Sequence, residues 1–449
     1  MLLHVAAILA VAVGQVDGAT DRPKEPPGNG PVDEASPPGI DAPTSPAARA
    51  DDDITGPPGV PYMPSVGSGR LQQGFLLDGA VLTAVRTRTL TVTSAAAEWG
   101  TDLEITPGLA VDAWFPNFFL TAGYAPRITI PFGTGTTETA ILNRATFRAS
   151  WKFDPLWTLT PEGVFVFGDY SQLMPASTPG GAGPPPTQLD PVRSFQTYPY
   201  VGIDTRVRLD GQFSPRTRIA VWGGYFDTGG VGAAGEAAQP RAWGPQGDVT
   251  FAWDASRAAT LATSVAAQGW LMQGSEYFFL TTVTEAWTHS WSTDVQTTLA
   301  AGGGYANRDV ESQTAARHLV PVVSAAFRYH PGSTAPLRLT LDAALGPYYD
   351  TYARIPYQRI TAGASVDWRP SDQWALAASL AFALAPYTVR VPESYGTGGA
   401  SASFAPLPFL VLTAGAFTQS QFQGQATPTG AFRQWTIYLS LALRERLSL

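Results

Sequence analysis

Between Ile141 and Tyr170 the chain reads ILNRATFRASWKF, then DPL, then WTLTPEGVFVFGDY. In the first arm Ala145, Phe147, Ala149, Trp151 and Phe153 occupy one set of alternate positions, and Arg144, Thr146, Arg148, Ser150 and Lys152 the other. Successive side chains leave opposite faces of a strand, so this segment has one apolar face and one basic face. A helix would scatter the same arginines around its circumference. The period therefore predicts a strand, a turn at Asp154-Pro155-Leu156, and a second strand.

The unit recurs. In 195–212, Phe195, Val201, Ile203, Val207 and Leu209 oppose Tyr198, Tyr200, Asp204, Arg206, Arg208 and Asp210. In 337–349, Leu337, Leu339, Leu341, Ala343 and Leu345 oppose Arg338, Thr340, Asp342 and Tyr348. In 359–369, Ile360, Ala362, Ala364, Val366 and Trp368 oppose Arg359, Thr361, Ser365, Asp367 and Arg369. The last segment sets Trp435, Ile437, Leu439, Leu441 and Leu443 against Gln434, Thr436, Tyr438, Ser440 and Arg444. One segment departs from the rule. In 276–291 the face of Phe279, Val283, Trp287 and Trp291 also holds Glu285 and His289, which predicts a bulge or a shallow position there.

Short turns fall at Pro116-Asn117, Asp154-Pro155, Ser214-Pro215, Asp254-Ser256, Ser292-Thr293, Pro331-Ala335, Pro370-Asp372 and Ala405-Pro408. Beside them stand Trp114, Trp151, Trp157, Trp253, Trp291, Trp368 and Trp374, the candidates for an interfacial aromatic girdle. The connections between are longer and rich in Gly, Thr and Ser; the longest runs from Ser171 to Arg193. After the first residues no apolar run reaches the ~20 residues a membrane helix needs, so a membrane form must be a closed barrel. Eight short turns make sixteen strands. A strand at about 76–90 and another at 432–447 bring the total to eighteen, with sixteen as runner-up. The expected fold is all-β: a transmembrane, antiparallel, up-and-down β-barrel of about 18 strands with both termini on the periplasmic side. A β-propeller has a similar repeat of roughly 40 residues, but it needs four short strands per repeat where this chain has two long ones.

Ahead of the barrel lie two other segments. Residues 1–18 have a short apolar run, MLLHVAAILAVAV, followed by small residues, as a secretory signal peptide does. Residues 19–70 are acidic, Pro-rich and without apolar periodicity, so they form a disordered periplasmic linker; within it, 20–65 is a candidate docking arm for a periplasmic export partner. Residues 71–449 form the barrel.

Composition narrows the chemistry. Among 449 residues there is no cysteine, which excludes disulfides and thiolate metal sites. The net charge of −8 argues against nucleic acid. The four histidines, His4, His289, His318 and His330, form no catalytic or metal-binding spacing, and there is no Gly-x-Ser-x-Gly. No enzyme, cofactor or metal is expected. What remains is the polar face. Its bases are Arg86, Arg88, Arg127, Arg144, Arg148, Lys152, Arg206, Arg208, Arg328, Arg338, Arg359, Arg369 and Arg444, against the acids Glu162, Asp204, Asp210, Asp248, Asp342 and Asp367. One reading of this face is a set of cross-strand ion pairs, which any barrel interior not packed with apolar groups needs. The alternative reading is an arginine-lined aqueous pore, with Arg144, Arg148, Lys152, Tyr198, Tyr200, Asp204, Arg206, Arg208, Arg338, Arg359 and Arg369 as its candidate lining.

From about residue 74 to 449 the pattern resembles bacterial outer-membrane β-barrel porins. The end at Leu449 resembles their C-terminal insertion signal, with Leu in place of the usual aromatic. The resemblance implies a channel in the Gram-negative outer membrane that passes hydrophilic, anionic or saccharide solutes. It also implies contact with outer-membrane lipid and lipopolysaccharide and insertion by the barrel assembly machinery. A second reading is the outer-membrane barrel of an exopolysaccharide export machinery with a periplasmic partner. A third is a structural or adhesive barrel acting through its outer loops.

Overall fold

The computed structural model describes residues 74–92, 98–132, 139–171, 197–238, 240–272, 276–310, 313–331, 337–350, 355–385, 393–407, 409–423 and 432–448. The expected signal peptide, the Pro-rich arm, the loop after Ser171 and the terminal Leu449 lie outside these residues, as does most of the turn 331–335.

The chain forms β1 (Gly74–Val92), β2 (Glu98–Phe115), β3 (Phe118–Tyr124), β4 (Arg127–Phe132), β5 (Ala140–Asp154) and β6 (Trp157–Ser171). Next come β7 (Thr197–Ser214), β8 (Thr217–Gly230), a short helix α1 (Gly232–Ala238), β9 (Ala242–Asp254), β10 (Ala259–Met272), β11 (Glu276–Ser290) and β12 (Val295–Val310). The wall is completed by β13 (Gln313–Tyr329), β14 (Leu337–Asp350), β15 (Ile355–Ser371), β16 (Trp374–Ala385), β17 (Glu393–Leu407), β18 (Leu410–Gln423) and β19 (Phe432–Ser448). Neighbours in sequence pair antiparallel all the way round, and β1 pairs with β19 from Leu76↔Ser448 to Val92↔Phe432. The sheet is closed, so no full-length edge remains exposed to lipid. It is an 18-strand barrel, because β3 and β4 are two halves of one stave. Both halves pair with β2 and β5. The break falls at Ala125-Pro126, where proline has no N–H for the ladder and the Ala125 N–H reaches the Arg144 carbonyl instead, at 2.8 Å.

Alternation decides which face lies inside. On β9 Val249, Phe251 and Trp253 are exposed while Gln246, Asp248 and Thr250 are buried. The apolar set faces out as a band for the bilayer core, and the polar set faces the enclosed lumen. This band and the closure of the sheet make the protein an outer-membrane β-barrel. Gly229, with φ 141°, turns the chain out of β8 toward α1, on the rim opposite the short turns.

One joint in the wall is incomplete. β13 and β14 pair only from Tyr329↔Leu339 to Val323↔Leu345, although each continues along its other neighbour, to Val310↔Gln313 and Asp350↔Ile355. Continuing the register would set Pro321 against Pro347, and two residues without N–H groups cannot carry the ladder. We predict that, in native-state hydrogen exchange, those amides from Leu319 to Val322 that point toward β14, every second residue of the strand, exchange faster than the amides of Val323–Tyr329 that point the same way.

Candidate functional site: the barrel lumen

The most strongly charged wall of the lumen is built on β5 to β9. Tyr198, Tyr200, Asp204, Arg206, Arg208 and Asp210 share the inward face of β7, descending from the outer rim toward the short turn. Arg206, whose side chain is only 6% exposed, gives Asp204 a bond of 2.7 Å from Nη2. Gln246 Nε2 donates to the same carboxylate at 2.9 Å, and the guanidinium lies 5.3 Å above the Trp222 ring. One level down, Arg208 Nε donates to Asp210 at 2.9 Å. Arg148 Nε stands 3.9 Å from Glu162, which is paired in register with Arg206. Arg144 and Lys152 share the inward face of β5 with Arg148, at its outer half and its periplasmic end respectively. The arginines thus lie among carboxylates, fixed in direction rather than freely solvated.

Above this belt the lumen wall turns aromatic. Phe226, Met272, Phe278 and Leu280 form a buried cluster with Trp270 packed against it. Trp270 sits 4.9 Å from Phe278 and 6.2 Å from Phe226, and Tyr200 hydroxyl shares a 2.8 Å hydrogen bond with Thr228. Tyr198 is buried at the same end. Flat rings beside charged and hydroxyl groups suit the apolar faces and hydroxyl edges of sugars.

The sequence reading missed a third group. Asp78, Asp102, Glu104 and Asp112 also face inward, so the lumen is less basic than thirteen to six. Arg86 on β1 forms a buried ion pair with Glu104 on β2, while Arg127 on β4 approaches the same carboxylate at 3.8 Å. Thr121 donates to Asp112 at 2.7 Å. Arg218 and Asp254 form another missed pair, at 2.7 Å, near the periplasmic rim. Parity would have found them all: Asp78 lies eight residues from Arg86, on the same side of one strand.

Nine staves from β7 in either direction, hence diametrically across the lumen, stands β16. Its inward residues are Ala375, Ala377, Ser379, Ala381 and Ala383. Next to it β17 presents Thr397, Gly399, Ser401 and Ser403, and β18 presents Thr413 and Gly415, with the longer Phe417 and Gln419 only toward its outer end. Long charged side chains face a wall of short ones, so the open part of the cross-section lies toward β16–β18. Arg338, Arg359 and Arg369 sit apart from the Arg206 network, on β14 and β15, with Asp342 and Asp367. The side chains of Arg88, His318, Tyr348 and Arg444 lie outside the described residues.

Outside, Trp151, Trp253, Trp291, Trp368 and Trp374 stand exposed on the apolar face beside the short turns, Trp291 at 63%. Trp157 lies flat over Gly211 and meets Phe213 edge-on at 5.5 Å. A Cβ at position 211 would collide with that ring. We predict that Gly211→Val costs about 1–3 kcal/mol in urea unfolding from lipid vesicles. Trp114 differs from the girdle expectation. It shares the parity of Asp112, pairs with Gly74 and covers that glycine from the inward side. Phe115 and Phe118 take the outward places at this turn instead.

The expected bulge near Glu285 is absent. β11 keeps unbroken register with β10 through Thr263↔Glu285 and with β12 through Glu285↔Ala301. Glu285 is six residues from Trp291, about 15 Å along the barrel axis, so it is not shallow either. It stands exposed on the lipid-facing side, where Thr263 Oγ1 reaches its two oxygens at 2.8 and 2.9 Å. One hydroxyl offsets part of a cost that stays below the roughly 2–4 kcal/mol of Arg or Lys at midplane.

No group of His, Cys, Asp and Glu among the described residues has the arrangement of a metal site. Among solved structures the chain is similar to OccAB4 of Acinetobacter baumannii, with 7% identity and a TM-score of 0.46 over 84% of this chain and 99% of that one. It is also similar to OccK2 (OpdF) of Pseudomonas aeruginosa in complex with glucuronate, with 10% identity and a TM-score of 0.45 over 83% and 100% of the two chains. The FrpB iron transporter of Neisseria meningitidis follows at 8% identity and a TM-score of 0.43, over 81% of each. No curated protein matches. A family model for exopolysaccharide export, EpsX, matches residues 78–405.

Proposed function

This chain belongs to the EpsX exopolysaccharide export family, and from that premise we propose that its barrel is the outer-membrane passage through which a polysaccharide leaves the cell. The observation that carries the reading is where the match lies. It runs from β1 into β17 and so spans most of the wall, including the Arg206 belt and β16 opposite it.

The route we assign follows β16–β18, where short side chains leave room for a sugar chain. Facing it, the fixed pairs Arg206–Asp204 and Arg208–Asp210 offer donors and acceptors to passing hydroxyls and charge to uronate groups. The aromatic cluster near the outer mouth supplies ring faces for stacking. Each contact is modest and repeated, as a polymer that must keep moving requires. Lipid and lipopolysaccharide surround the wall, and the barrel assembly machinery inserts it. A periplasmic partner delivers the polymer, with residues 20–65 as its docking arm. No step calls for covalent chemistry or a cofactor.

Complementation tests this. Cells lacking the protein should display no surface polysaccharide and regain it with the full chain. They should not regain it with the chain lacking residues 20–65, provided that variant reaches the outer membrane. Display unchanged by the deletion of the gene would end the export reading. The Arg-rich belt favours a second reading, a constitutive channel for small anionic solutes. Steady, anion-selective conductance of the purified protein in planar bilayers, lost on neutralising Arg144, Arg148 and Arg206, would support it.

A further inference from the structure

Glu285 has no role in the lumen, since it points the other way. Its surroundings are unlike the rest of the outer wall. Across β12 from it lie Ala301 and then Gly303, both exposed; a Cβ at Gly303 would meet only the Val320 carbonyl oxygen, at 3.9 Å. These two small residues floor a dip in the apolar band, beside the place where the ladder between β13 and β14 ends at Val323, short of Pro321. At the edge of the dip Leu319 is 87% exposed. Among the described residues Thr263 alone hydrogen-bonds Glu285, and none forms an ion pair with it.

A carboxylate in hydrocarbon beside a close-approach surface lacks one thing, a cation at its own depth. We propose that this face binds a membrane-spanning segment of another protein that presents an arginine or lysine to Glu285. Small residues let two backbones approach closely in a bilayer, and a charge-assisted hydrogen bond then fixes their register. A second copy of this chain fits poorly. Twofold pairing through the dip would bring two Glu285 carboxylates to the same depth of one interface with no cation between them, since the lipid-facing sides of the described strands carry no Arg or Lys away from the rims. The partner is therefore a different protein, and the proposal does not depend on what the lumen transports.

The test places the photo-crosslinking residue p-benzoylphenylalanine at Ala301 of the full-length protein in intact cells, with a control at Leu380, 68% exposed on β16. The expected result is one adduct from position 301 only. Mass spectrometry should identify it as a protein with a basic residue inside a membrane-spanning segment. The adduct should disappear in Glu285→Leu and persist in Glu285→Asp. In parallel, purified Glu285→Leu should unfold at the same or higher urea concentration than the parent, because a lipid-facing charge has been removed. No adduct, an adduct insensitive to Glu285→Leu, or an adduct of the chain with itself overturns the proposal. So does a lower urea midpoint, which would make Glu285 a structural residue of the wall. Both readouts are independent of polysaccharide export, so failure here and failure of the export reading are distinguishable.

Discussion

Arg86→Met should cost the barrel about 3–5 kcal/mol, the largest loss expected from any single substitution in the wall. Arg86 lies where the cylinder closes: on β1 it is paired in register with Asp102 on β2 and Tyr438 on β19, and it neutralises the buried Glu104. Removing it leaves two carboxylates in a site with little water, served by Arg127 at 3.8 Å. Urea unfolding from vesicles gives the magnitude, and heat-modifiable gel mobility shows whether the first and last strands still close. Adding Glu104→Met should recover much of the loss, because an uncompensated buried charge costs more than a missing pair. Unchanged unfolding of the single variant would mean that the wall closes on backbone pairing alone.

Ala377→Trp should abolish most conductance and export while leaving stability within about 0.5 kcal/mol. Ala377 is an inward residue of β16, the stave facing Arg206 across the lumen, and an indole there fills the space that the short side chains leave open. The same substitution at Leu376, one residue away on the lipid-facing side, should change neither property. Normal passage through Ala377→Trp would mean that the solute does not follow the β16–β18 wall, and the route would move toward the β5–β9 side.

The strand count, the antiparallel order and the inward parity of Arg144, Arg206 and Arg359 were all legible, because a half-buried strand writes its two faces into alternate residues. The short turns were legible through their prolines and flanking tryptophans. The family assignment favours export over the small-solute channel that the pattern alone ranked first, since alternation describes a wall and not its cargo. Parity also contained the inward acids of β1 and β2. On β1 the apolar face opposite Asp78 is diluted by Gly79, Thr83 and Thr87, whereas on β2 Leu103, Ile105, Leu109 and Val111 alternate plainly with Asp102, Glu104 and Asp112. Trp114 departs from the girdle because of its register. Standing beside a turn suggests an interfacial ring, whereas the face of a side chain follows from its register with Asp112 and Gly74.

By itself the sequence determined the barrel: alternation makes each segment two-sided, and the absence of a long apolar run leaves a closed sheet as the membrane form. Tertiary structure alone decided how that cylinder is furnished. Which walls face each other across the lumen depends on how many staves separate them, so the opposition of the charged β7 and the alanine-lined β16 emerges only after closure. The gap between β13 and β14 needed two prolines, 26 residues apart in sequence, to fall at the same level of adjacent strands. Glu285 kept its regular strand because unbroken register on both sides, through Thr263 and Ala301, outweighs the cost of one carboxylate in lipid. Local sequence sets which face a residue takes; what stands opposite or beside it is set by the register of the whole ring.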